Sequence, residues 1–220
     1  MTTNIEPKIG EGIFFTKDIA QIFNLDKNKV RRWLSGYWDE HFKTTFGDGK
    51  HIAINFYSLI EFYIFYKLRE SGISAQELKK AHGIIAEELN SPYPFACADA
   101  INFEKRKSKY FIWYEKQDGN VRVDGSHQIS LLFIKQFVEK IDYDKNNMAA
   151  QFFPLGKDHE IVVDPKKQFG KPIIKGTRIT TDTLYHLYLG GESIEAIGKL
   201  YNLAEKTVKD ALYFHHKDAA

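Results

Sequence analysis

The sequence predicts an α+β, mostly helical protein: a helical N-terminal segment with one hairpin, a small β-hairpin/helix middle region, and a C-terminal segment of three helices. Three observations predict it. Apolar residues recur at helical spacing near both ends of the chain. Short aromatic and β-branched runs flank turns at Gly47-Asp48-Gly49 and Gln117-Asp118-Gly119-Asn120. The run Ser91-Pro92-Tyr93-Pro94 stops any preceding helix, because proline lacks the N–H and clashes with the preceding turn. These breaks divide the chain into residues 13–90, 95–154 and 155–216.

Bulk composition narrows the function. Of 220 residues, 43% are apolar and 15% aromatic, enough for packed cores and too much for a disordered chain. Basic and acidic residues number 31 and 29, a formal charge of +2, so any nucleic-acid site must be a local patch. Cys97 stands alone, which excludes an intramolecular disulfide. Met1 to Glu11 lacks the apolar core of a signal peptide, and no run approaches the roughly 20 apolar residues of a membrane span. A cytoplasmic protein without a membrane partner is expected.

The first segment opens with Thr16, read as a helix cap whose hydroxyl accepts a free backbone N–H. Ile19, Ala20 and Phe23 share one face of the helix that follows. Asn24-Leu25 reads as a tight turn, since asparagine tolerates the left-handed region. Asp26 caps a second helix, on which Val30, Trp33 and Leu34 form the apolar stripe while Lys27, Asn28, Lys29, Arg31 and Arg32 fill the rest. From Thr16 to Gly36 five cations face two carboxylates, a local +3 in a chain whose total is +2. Outward cations meet phosphates, and arginine also reads guanine edges. Phe42 to Phe46 and Ile52 to Ile54 then form a hairpin, with Lys50 and His51 beside its turn, placed as a wing touching the neighbouring groove. Helices over Ser58–Glu70 and from Ser74 to about Leu89 complete the segment.

The stretches FTKDIAQIFNLDKNKVRRWL and NFYSLIEFYIFYKLRESGISAQELKK resemble a MerR-type winged helix-turn-helix. The resemblance implies DNA binding by the second helix and wing, normally as a homodimer on a palindromic double-stranded operator. Thr16, Lys27, Asn28, Lys29, Arg31, Arg32, Lys50 and His51 are the expected DNA-binding residues.

In the middle segment, Tyr110 to Tyr114 and Val121 to Val123 read as a hairpin, followed by a helix from Ser130 to Ile141 carrying Leu131, Ile134, Val138 and Ile141. In the last segment Ile161 to Val163 is a short strand, and Gly170 to Ile179 holds another between tight turns. From Lys166 to Thr180 there are five cations and no carboxylate. Thr180 or Thr181 caps a helix that Gly190-Gly191 ends; Ser193 starts another, Asn202-Leu203 turns, and a last helix carries Val208, Ala211 and Leu212. On that helix Lys206 and Lys209 are offset by Glu205 and Asp210, so packing or protein contact and DNA binding both remain open.

Asp164, Pro165, Gly170, Pro172, Gly176, Thr177, Arg178, Gly191 and the run IEAIGKLYNLAEKTVKDAL resemble the antitoxin family known as domain of unknown function 433. GSHQISLLFIKQFVEKIDYD and QFFPLG resemble the linker of VapB-type members. The resemblance implies an antitoxin that neutralises a PIN-like nuclease toxin and represses its own promoter. Lys171, Lys175, Thr177, Arg178, Lys206 and Lys209 are the expected partner- or DNA-binding residues at this end. For Arg178 two readings stand: bidentate pairing with a phosphate or a partner's carboxylate, or an internal pair with Asp164.

Catalysis is not expected. The histidines are scattered, and adjacent His215 and His216 diverge by about 100° on a helix. No metal-ligand spacing, phosphate loop or nucleophile elbow is present, and no cofactor is implied. A regulator with a small ligand held by the aromatics Tyr110, Phe111, Trp113 and Tyr114, or a protein adaptor that never touches DNA, are the other readings.

Overall fold

The computed structural model describes residues 8–47, 49–98, 113–115, 120–123, 127–130 and 137–216. The fold is mixed α/β and rich in helix. Strand β1 (Phe14–Phe15) leads into α1 (Thr16–Phe23), and α2 (Lys27–Arg32) follows after a tight turn. The turn is built as the residues require: Asn24 has φ 54°, and the Leu25 N–H donates to the Ala20 carbonyl at 2.9 Å. The Asp26 carboxylate then accepts from the Lys29 N–H at 2.8 Å.

The helical path continues beyond Arg32. It widens into a π-helical stretch over Trp33–Trp38 and ends in α3 (Asp39–Phe42). Phe42 is therefore helical, and the hairpin contains only β2 (Thr45–Phe46) and β3 (Ala53–Ile54). Strand β3 lies centrally between β1 and β2. That third strand also corrects the expected cap. Phe14 and Phe15 pair with Ile54 and Ala53, so the chain is extended through Phe15, and Thr16 is the first helical residue. The Thr16 hydroxyl is buried and has no hydrogen-bond partner among the described residues. The Asp18 carboxylate instead accepts from the Phe15 N–H at 2.9 Å. Burial holds the Asp18 carboxyl above its usual range, against the pull of that N–H and of Lys171 and Lys17.

Helix α4 (Phe56–Glu70) starts two residues earlier than expected, because the Asn55 side chain accepts from the Ser58 N–H at 2.9 Å. Helix α5 (Ala75–Leu89) opens with a reciprocal Ser74–Glu77 capping box and closes on left-handed Asn90. The buried Glu61 carboxylate of α4 holds this region together. It pairs with His82 of α5 at 2.5 Å and accepts from the N–H groups of Phe95 and Ala96.

The middle hairpin is β4 (Trp113–Glu115) with β5 (Asn120–Val123), but a third strand, β6 (His127–Ser130), joins it. Tyr110 and Phe111, like the turn residues Gln117 to Gly119, lie outside the described residues, as do the Trp113 and Tyr114 side chains. The expected helix is corrected at both ends. Ser130 belongs to β6, and Ile141 opens β7 (Ile141–Tyr143) and pairs with Phe152 of β8 (Ala149–Phe152). The Asp144 side chain accepts from the Asn146 and Met148 N–H groups and folds the connecting turn. Residues 131–136 of the expected helix are outside the described set.

Strands β9 (Ile161–Val163) and β10 (Pro172–Ile174) extend this sheet in the order β10-β9-β8-β7, so one sheet spans both sides of residue 155. Helices α6 (Thr181–Leu189), α7 (Ile194–Tyr201) and α8 (Glu205–His216) follow, with Thr180 and Ser193 as caps. One apolar core contains residues from all three sequence segments, including Leu34, Phe62, Phe152 and Phe214. Phe23 shows how they interlock: its ring lies 5.1 Å from Tyr63 of α4 and 5.6 Å from Phe152 of β8.

The glycine of the G-K-P run has a packing reason. A Cβ on Gly170 would overlap the Phe14 ring, and φ there is +86°. The neighbouring Phe169 carbonyl accepts from the Ile13 N–H at 3.0 Å, so the turn docks on the N-terminal strand. Gly170→Ala is expected to destabilise the protein by about 1–3 kcal/mol through overpacking, with left-handed strain added. Urea denaturation measures it, and a neutral result would show that Phe14 moves freely.

Candidate nucleic-acid interface

The α1–α2 corner places its cations by helix geometry. Val30 and Leu34 are buried and Trp33 is half-buried, its ring edge-on to Phe62, Phe65 and Tyr66 of α4. Docking this stripe turns the opposite face to solvent. Lys27, Asn28, Arg31, Arg32 and Ser35 are exposed, and at 100° per residue they span one continuous face.

The expected residues are not equivalent once placed. Arg31 leans on Asn28 Oδ1 at 3.2 Å, which orients the guanidinium along the helix surface. Lys29 is turned aside: Nζ donates to the Tyr66 hydroxyl at 3.3 Å and lies 4.8 Å from its ring centroid. Thr16 is buried and off the outward surface. His51 is exposed in the 3-10 turn between β2 and β3; Lys50 lies in the same turn, and its side chain is outside the described residues. Lys79, which the sequence reading passed over, is exposed on α5 with Nζ 2.9 Å from His41 Nδ1.

The C-terminal helices repeat the corner. Asn202 has φ 52°, and the Leu203 N–H donates to the Gly198 carbonyl at 2.8 Å, as Leu25 does to Ala20. Ile197 and Val208 are buried as Ile19 and Val30 are. The outward chemistry differs. Where α2 carries Lys27, Asn28 and Arg31, α8 carries Glu205, Lys206 and Lys209, and Lys209 pairs with Glu205 at 3.2 Å. Lys206 reaches the Asp158 carbonyl. In place of Arg32 stands buried Asp210, which accepts from the Glu160 N–H and pairs with His159 at 2.9 Å.

Between the corners, Lys171, Lys175 and Arg178 are exposed on the β9–β10 side of the last segment. Thr177 is structural: its hydroxyl donates to the Ile174 carbonyl at 2.9 Å and accepts from the Ile179 N–H at 3.0 Å. The internal pair considered for Arg178 is not formed. Asp164 is engaged by Gln151, by the Lys166 N–H and by Lys167 at 3.9 Å; the Arg178 side chain is exposed, and its carbonyl accepts from the Gln168 side chain.

Among the described residues, no helix is long and apolar enough to cross a membrane. A family model described as a protein of unknown function, DUF433, matches residues 161–214. The chain is 21% identical over 173 residues to a Mycobacterium tuberculosis H37Rv protein named "Putative antitoxin VapB45", covering 74% of this chain and 72% of that one. Its fold is similar to the crystal structure of Rv2018 from Mycobacterium tuberculosis: the TM-score is 0.68 at 16% identity, over 90% of this chain and 96% of the other.

Proposed function

We propose that the chain is the DNA-binding antitoxin of a type II toxin–antitoxin pair, which neutralises a PIN-like nuclease and, as a homodimer, represses its own promoter. The α1–α2 corner and the β2–β3 hairpin act as a MerR-like winged helix-turn-helix. The observation that carries this reading is the outward face of α2, where Lys27, Arg31 and Arg32 stand exposed with no carboxylate among them. The recast charges of α8 favour a protein partner for the C-terminal corner, and the name of the distant relative supports a toxin as that partner. Exposed Arg178, with Lys171 and Lys175, suits the carboxylates of a nuclease active site.

Because one core runs through all three segments, the test uses the full chain. The full-length protein is mixed with the product of the adjacent reading frame and run on size exclusion, and its affinity for upstream DNA is measured in parallel. Arg178→Glu is expected to abolish co-elution and leave DNA affinity unchanged. Arg31→Ala with Arg32→Ala is expected to do the converse. Loss of both functions together in either variant, at unchanged melting, would contradict the division of labour. No co-elution of the parent protein would remove the antitoxin reading.

A further inference from the structure

A cleft of about 410 Å³ opens where α1 meets α6 and α8. Tyr185 lines it: its ring stacks on His215 at 4.4 Å with a 6° interplanar angle, and it meets His216 edge-on at 5.6 Å. Gln21 of α1 reaches across to His215 Nδ1 at 2.9 Å, and Asp182 lies 3.5 Å from His215 Nε2. The remaining lining is Lys17, His186 and His216, all exposed at the rim. The Lys17 ammonium is not committed to an ion pair among the described residues, whereas Asp182 is turned to His215. The cleft thus offers several N–H donors and one carboxylate, set beside His215. Concave sites with a few converging polar groups are where small ligands bind.

We propose that this cleft binds a small oxyanion of the sulfate or phosphate type, held by Lys17, His186 and His216 around the Tyr185–His215 stack. The proposal does not rest on the DNA-binding reading. Lys17 from α1 supplies the ammonium, the histidine rings of α6 and α8 supply further N–H donors, and Asp182 lies on the His215 side of the lining.

The probe is sulfate, titrated into the full-length protein at fixed pH and ionic strength and followed by the histidine ring resonances. Saturable binding is expected. Lys17→Ala with His216→Ala, two exposed positions, is expected to weaken binding at least about tenfold at unchanged melting temperature. The Arg31/Arg32 alanine variant binds sulfate like the parent. Two competitors identify the natural source of the anion: displacement by duplex DNA assigns the site to a backbone phosphate, and displacement by glycerol phosphate alone assigns it to a free phosphorylated molecule. Absence of saturation, or equal binding by the Lys17/His216 variant, overturns the proposal.

Discussion

Replacing Arg31 and Arg32 together by alanine is expected to weaken operator binding by about 1–3 kcal/mol for each arginine that makes a good base contact. An arginine that instead meets a phosphate lowers the salt slope by about 1 when it is removed. Both side chains are exposed on the face of α2 opposite Val30 and Leu34, so neither contributes to the core. Stability should stay within about 0.5 kcal/mol of the parent, the usual range for surface positions. Fluorescence anisotropy with a labelled duplex at several salt concentrations, beside a thermal melt, reads both quantities. Unchanged affinity with unchanged slope would move the DNA site off α2.

Trp38→Ala is expected to cost about 3–5 kcal/mol of stability, a large share of the roughly 5–15 kcal/mol available to a natural protein. Trp38 is fully buried, with Phe42 at 4.5 Å and Phe62 and Phe65 each at 5.6 Å between ring centroids. Its indole N–H donates to the buried Thr44 hydroxyl at 3.0 Å, so the substitution removes a hydrogen-bond partner as well as leaving a cavity. Trp33→Ala should cost less, because Trp33 is half-buried. Urea unfolding of the two variants ranks them; Trp33 proving the costlier would contradict the packing of the helix that follows α2.

What the sequence disclosed was local. Turn chemistry at Asn24-Leu25 and Asn202-Leu203, the caps Asp26 and Ser193, and the segregation of Val30 and Leu34 from Arg31 and Arg32 need only near neighbours, and each is formed. The π-helical stretch through Trp38 was not legible, since its register is set by aromatic packing against α4. The β7–β8 hairpin was hidden because Ile141 continues the helical period of Val138; Phe137 and Val138 are helical, and the strand begins at Ile141. The Asp144-to-Asn147 run, rich in turn-forming residues, was the signal that could have found it. The cleft was beyond any local reading: Gln21 and His215 meet at 2.9 Å across a separation of 194 residues. The same is true of the docking of Gly170 on Phe14, which gives a packing role to a glycine otherwise read as a turn former.

The central proposal, a DNA-reading α2 face, is tested most directly by the salt dependence of binding between the full-length protein and a duplex from upstream of its own reading frame. Three cations per corner, Lys27, Arg31 and Arg32, predict a slope of about −3 in log affinity against log salt for one head, doubling for a dimer on a palindrome. An unrelated duplex should bind more weakly with a comparable slope. Failure to bind at low salt, or an affinity indifferent to salt, would contradict the account.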